Sequence, residues 1–176
     1  MSTLIGATPA PGFDDPLEML LACHERIRAQ CTTLEKLMLH LPAHGCDLQA
    51  RQAAQAILRY FDTAGQHHHD DEEQDLFPQL RASNDSTALA LVTRLLDEHQ
   101  VMDAAWQQLR PYLAALSEAT ATTLDAVTAR RFIDVYDRHI TLENAQLIPL
   151  AQRLLSAEQL ETLGNSMAAR RIHREK

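Results

Sequence analysis

Glycine and proline are scarce, with 5 and 7 copies in 176 residues, while Ala, Leu and Gln fill long stretches. So few helix breakers point to an all-α protein, and the length suits one domain with a sizeable core. Positive charge is also in deficit. The formal net charge is −8, which argues against nucleic acid or an anionic membrane surface as the main partner. The one basic cluster, "RRIHREK" at the C-terminus, suits a helix end. No run of about 18 apolar residues occurs, so no segment is expected to span a membrane. The opening "MSTLIGATPAPGFDDP" lacks both the positive region and the apolar stretch of a signal peptide. Cys23, Cys31 and Cys46 form no CxxC and leave an odd number, which reads most simply as reduced thiols in a cytoplasm. No Ser/His/Asp triad, Gly-rich phosphate loop or basic groove stands out.

What the chain does have is helical periodicity. Residues 1–14 form an arm rich in Pro, Gly and Thr, and Asp15-Pro16 then reads as a helix start. A first helix is predicted over 15–40, its stripe running through Leu17, Leu20, Leu21, Ile27, Cys31, Leu34 and Met38. "LPAHGCD" breaks it, and Asp47 can cap a second helix over 47–82. A third is predicted over 85–117, where Pro111 should kink or shorten it, and a fourth over 123–154. Ser156 and Gln159 suggest a capping box for a short fifth helix in the C-terminal segment 156–176. Four long helices joined by short turns predict an up-down-up-down antiparallel four-helix bundle over 15–155.

The apolar stripes carry polar residues in a pattern. Each long helix has one histidine on its core seam: His24, His68, His99 and His139. The second and fourth helices add a glutamate four residues later, Glu72 and Glu143, and residues four apart stand one above the other. At about 1.5 Å per residue, all six lie roughly 14–24 Å from the same end of the bundle. One seam histidine is usually a satisfied core residue, and one seam carboxylate usually pairs with an arginine. Here two glutamates share a layer with no seam Lys or Arg, and buried unpaired charge costs several kcal/mol. A metal centre resolves that conflict. Periodicity from Ile57, Phe61 and Ala64 selects His68 and Glu72, with His69 and Glu73 as the competing register. His139 and Glu143 support the first choice, because they precede Pro149 by the same distances as His68 and Glu72 precede Pro78. Asp70, Asp71, Glu73 and Asp75 read as solvated acids or outer partners of the ligands.

These segments, "ACHERI", "HHDDEEQDLFP", "DEHQVM" and "HITLENAQLIP", resemble a hemerythrin-like protein of the HHE cation-binding type, over about residues 15–155. The resemblance implies two iron ions, oxo- or hydroxo-bridged, in a four-helix bundle. His24, His68, His99 and His139 would be terminal ligands, with Glu72 and Glu143 as bridging or terminal carboxylates. The N/O donor set, without thiolate, agrees with non-haem iron. A ferritin-like site would use E-x-x-H on two helices; the order here is H-x-x-x-E. The chain departs from oxygen-carrying hemerythrins in two places. Asp103 stands where those have a second histidine, and their fourth-helix carboxylate is an aspartate five residues past the histidine rather than four.

Two functions follow from this resemblance. One is interaction with O2, peroxide or another small ligand, including weak peroxidase-, catalase- or oxidase-like activity. The other is non-catalytic iron storage or sensing through a partner. The protein is expected to be a monomer or small homo-oligomer. Cys23 and Cys31 lie near His24 and could serve redox chemistry or simply fill the core. Tyr136 and Trp106 read as seam residues, and His40, His44 and His173 need no role.

Overall fold

The computed structural model describes residues 12–172; residues 1–11 of the predicted arm, and His173 in the tail, lie outside them. Helix α1 spans Pro16–His44, and the Asp15 side chain accepts the Glu18 N–H at 3.2 Å. The helix outruns its predicted end because Leu37 and Leu41 continue the buried face through "LPAH". Gly45, at φ +69°, then stops it by donating to the Leu41 carbonyl.

The second rod is one predicted helix in several pieces. It comprises α2 (Leu48–Asp62), α3 (Ala64–Asp71), a π-helical turn (Glu72–Leu76) and α4 (Phe77–Ala82). Asp47 caps α2 through the Ala50 N–H at 2.9 Å. The break at Thr63 coincides with its hydroxyl donating back to the Arg59 carbonyl at 2.6 Å, a local bond that competes with the helical ladder. Helix α5 spans Ser86–Ser117 and continues past Pro111 without being shortened. Pro111 and Gln107 are both exposed, so water can satisfy the carbonyl whose donor the proline lacks. The fourth rod is α6 (Ala126–Leu142), a second π-helical turn (Glu143–Leu147) and α7 (Ile148–Leu154). Helix α8, Ala157–Ile172, starts with the expected capping box: Ser156 N–H donates to Gln159 Oε1 at 2.9 Å, and Gln159 N–H to Ser156 Oγ at 3.2 Å.

Both π turns have the same cause. Pro78 and Pro149 follow Phe77 and Ile148, and a proline inside an α-helix crowds the carbonyl four residues back and offers it no donor. Widening the turn relieves this: Phe77 N–H reaches the Glu72 carbonyl and Ile148 N–H the Glu143 carbonyl, each five residues back. The wider turn also brings Glu72, Leu76 and Phe77 inward together, and likewise Glu143, Leu147 and Ile148.

The rods pack in a ring, α1 beside α2, α2 beside α5, α5 beside α6 and α6 beside α1, which is the all-α antiparallel bundle the sequence predicts. No strand occurs among the described residues. The core divides into two apolar clusters. One is centred on Phe61, Trp106, Leu109 and Phe132, the other on Leu20, Leu76, Phe77, Leu95 and Leu147. Helix α8 packs on α1 and α3. Its end does more than suit a dipole: Arg170 and Arg171 both grip Asp71, and Arg170 also reaches Asp75. Asp71, fully buried, is therefore neither a solvated surface acid nor a partner of a site histidine; it anchors α8 to the second rod.

Candidate metal centre

Between the two apolar clusters lies one polar layer. His24 comes from α1, His68 from α3, His99 from α5 and His139 from α6, while Glu72 and Glu143 open the two π turns. All six are at most 1% exposed. Their donor atoms form two groups, each within 4.8 Å: His24, His68, Glu72 and Glu143, and then Glu72, His99, His139 and Glu143. Both carboxylates belong to both groups, the arrangement bridging ligands require.

The contacts within the layer are close. His24 Nε2 lies 3.1 Å from Glu143 Oε2, His68 Nε2 3.5 Å from Glu72 Oε1, His99 Nε2 3.3 Å from Glu72 Oε2 and His139 Nε2 3.1 Å from Glu143 Oε1. Yet His24 Nε2, His68 Nε2 and all four carboxylate oxygens of Glu72 and Glu143 have no hydrogen-bond partner. They are near one another without pointing at one another. Leaving a buried polar atom so costs about 1–3 kcal/mol, more when it is charged. His99 Nε2 and His139 Nε2 also face each other at 3.1 Å, close to the ~3 Å that separates cis ligands on a metal with ~2.1 Å bonds. The residues present therefore fit bound metal.

Outer contacts fix the rings. His24 Nδ1 donates to Asn144 Oδ1 at 2.6 Å, His99 Nδ1 to Glu73 Oε1 at 2.6 Å and His139 Nδ1 to Glu98 Oε2 at 2.9 Å. Such partners set the tautomer that leaves Nε2 free for a metal. The sequence reading missed Asn144 and Glu98, though their signal was adjacency: Asn144 follows Glu143, and Glu98 precedes His99.

His69 joins neither donor group. Its ring stacks on His99 at 4.1 Å between centroids, with its Nδ1 3.9 Å from Asp103 Oδ1. The Asp103 side chain is 61% exposed and also stands outside both groups. Cys23 and Cys31 are buried and likewise outside them, and burial pushes the Cys31 thiol up to about 12. Tyr136 packs among Phe61, Phe132 and His69, and Trp106 donates to Asp62 at 3.2 Å. His40 contacts Asp47 and stacks on His44, away from the layer.

The layer's protons are unevenly held. Burial disfavours charge on His24, but Glu143 and Glu72 overcome it and raise its pKa to about 10. His99 is likewise raised to about 10 against its burial by Glu72 and Glu73. Burial instead drives His68 down to about 4. Glu72 and Glu143 are lowered because histidine neighbours outweigh desolvation, so they stay ionised around neutrality. A group with a raised pKa keeps its proton until pH climbs through that value. Protons on His24 and His99 thus compete with metal, and affinity is expected to rise between about pH 6 and pH 9. Competition titrations against a chromophoric chelator check this; affinity flat or falling over that range would contradict it.

Fold and layer together define a class, an α-helical bundle built around a buried His/Glu metal centre. The hemerythrin HHE cation binding domain matches residues 15–151, and the chain belongs to that family. It is also similar to an uncharacterized protein of Haemophilus influenzae, 36% identical over 159 residues, covering 90% of this chain and 91% of that one. The chain is a metal-binding protein whose His/Glu groups can hold the ions. Among the described residues no helix is long and apolar enough to cross a membrane.

Proposed function

We propose that this is a non-haem di-iron protein acting on O2, peroxide or a similar small molecule, with His24, His68, Glu72, His99, His139 and Glu143 as ligands. The observation that carries this reading is the pair of donor groups sharing both carboxylates. An all-N/O set suits non-haem iron, and so many donors exceed what one tetrahedral zinc takes. Bound iron would supply the electrons for chemistry on oxygen species.

The chain's own residues do the rest. His24 and His68 would hold one ion and His99 and His139 the other, with Glu72 and Glu143 available to both. Asn144, Glu73 and Glu98 orient the imidazoles. Leu20, Leu76, Leu95 and Leu147 on one side, with Ile27, Phe61, Met102 and Ile140 on the other, keep bulk water from the layer. Each group offers two imidazoles and two carboxylates, and iron held there would supply the binding chemistry for a small molecule. Asp103, held outside, does not fill the place that a further histidine takes in oxygen carriers.

Oxidation or peroxide reactivity is therefore favoured over reversible carriage. Reduced protein exposed to O2 and then degassed is expected to remain oxidised. A stable adduct that returns fully to the reduced state over repeated cycles would contradict this and restore the carrier reading. A second reading, iron storage or sensing in a reducing cytoplasm, draws on the grip of Arg170 and Arg171 on Asp71, beside Glu72. That contact links α8 to the metal layer. Sustained peroxide turnover supports the first reading, and a single stoichiometric oxidation the second.

A further inference from the structure

The centre is built from two copies of one unit. "HHDDEEQDLFP" (68–78) and "HITLENAQLIP" (139–149) share His, Glu, Leu and Pro at corresponding places, and both follow the same path of helix, π turn and helix. His68 corresponds to His139, Glu72 to Glu143 and Glu73 to Asn144. The lone histidines also correspond, His24 on α1 with His99 on α5.

Outer contacts repeat in the same way. The residue after each glutamate takes the Nδ1 proton of a lone histidine: Glu73 from His99 and Asn144 from His24, both at 2.6 Å. The residue before each lone histidine corresponds as well. Glu98, before His99, accepts from His139 Nδ1 at 2.9 Å. Cys23, before His24, offers no such acceptor, and His68 Nδ1 has no hydrogen-bond partner.

Identical inner donors thus have opposite surroundings. At the His24/His68 position the imidazoles meet one neutral amide. At the His99/His139 position they meet two carboxylates. A carboxylate accepting Nδ1–H makes the imidazole a stronger donor to metal and holds its plane, and charge-assisted bonds are roughly twice as strong as neutral ones. Other charges do not reverse this. Arg94 also donates to Glu98 at 2.8 Å, but its side chain is 62% exposed and screened by solvent. Asp71, the buried acid beside Glu72, is neutralised by Arg170 and Arg171.

The geometry points to an unequal metal pair, with divalent cations held tightly at the His99/His139 position and exchangeably at the His24/His68 position. This rests on the paired-metal reading above. The test titrates metal-stripped full chain with cobalt(II), followed optically and against a competing chelator. Two binding steps are expected, separated by roughly 10–100-fold, the usual worth of outer-shell partners. Glu98→Gln and Glu73→Gln should weaken the tight step by roughly that factor. Asn144→Asp should tighten the weak step and narrow the gap. Circular dichroism checks that each variant is folded, and Asn144→Asp decides the matter if the glutamate variants do not fold. Two equal steps in the parent chain, or a weak step unmoved by Asn144→Asp, would overturn the inference while leaving the paired centre standing. Uptake of a single cobalt ion would overturn the paired centre itself, and this inference with it.

Discussion

Glu72→Ala and Glu143→Ala are each expected to empty both positions of the proposed metal pair. Each carboxylate takes part in both donor groups, so its removal takes an oxygen and a negative charge from both positions at once. The loss should exceed the roughly 10–100-fold that outer-shell changes produce. Histidine variants should behave differently. His68→Ala removes a donor from one position only, and His69→Ala removes none. Both glutamates sit where a widened turn already interrupts the helix, and the flanking apolar clusters are intact, so the variants should stay mostly helical. Elemental analysis beside circular dichroism reads the outcome. Full metal content in both glutamate variants would refute the ligand assignment, and loss confined to His69→Ala would shift the register by one residue.

Stripping the metals from the parent chain should lower its melting temperature by about 8–16 °C. Ions that bind only the folded state stabilise it by about 4 kcal/mol at a free concentration near 1,000 Kd. A domain of this size shifts by about 2–4 °C per kcal/mol. The local cause is charge. Glu72 and Glu143 have no exposure to water, and without cations they depend on protons held by His24 and His99, whose pKa values they raise to about 10. Calorimetry with and without chelator measures the difference. A shift below about 2 °C would mean that metal contributes little to the fold.

The inner layer was legible because it follows helical arithmetic. His68 and Glu72, and His139 and Glu143, are spaced so that one face carries both, and that face is apolar on either side. The bundle followed from four such faces and the short breaks between them. What escaped was everything set across helices or by local departures from periodicity. Asn144 and Glu98 lie about 100° off the seam, and only the neighbouring rods turn them into partners of His24 and His139. Asp71 looked like one more acid in a charged run until Arg170 and Arg171, distant in sequence, arrived to pair with it. The prolines at 78 and 149 were visible, but the widened turns before them are local departures from the α-helical ladder, which 3.6-residue periodicity does not encode. The break expected at "LPAHGCD" falls only at Gly45, after Leu41 has extended the buried face, and Pro111 does not shorten its helix, where Leu113 and Leu116 remain buried beyond it.

The central claim is a pair of irons in one buried layer, and metal analysis of anaerobically purified protein, with its optical spectrum, tests it most directly. The account predicts about two iron ions per chain, lost together in Glu72→Ala. One zinc per chain, with no affinity for iron, would contradict it.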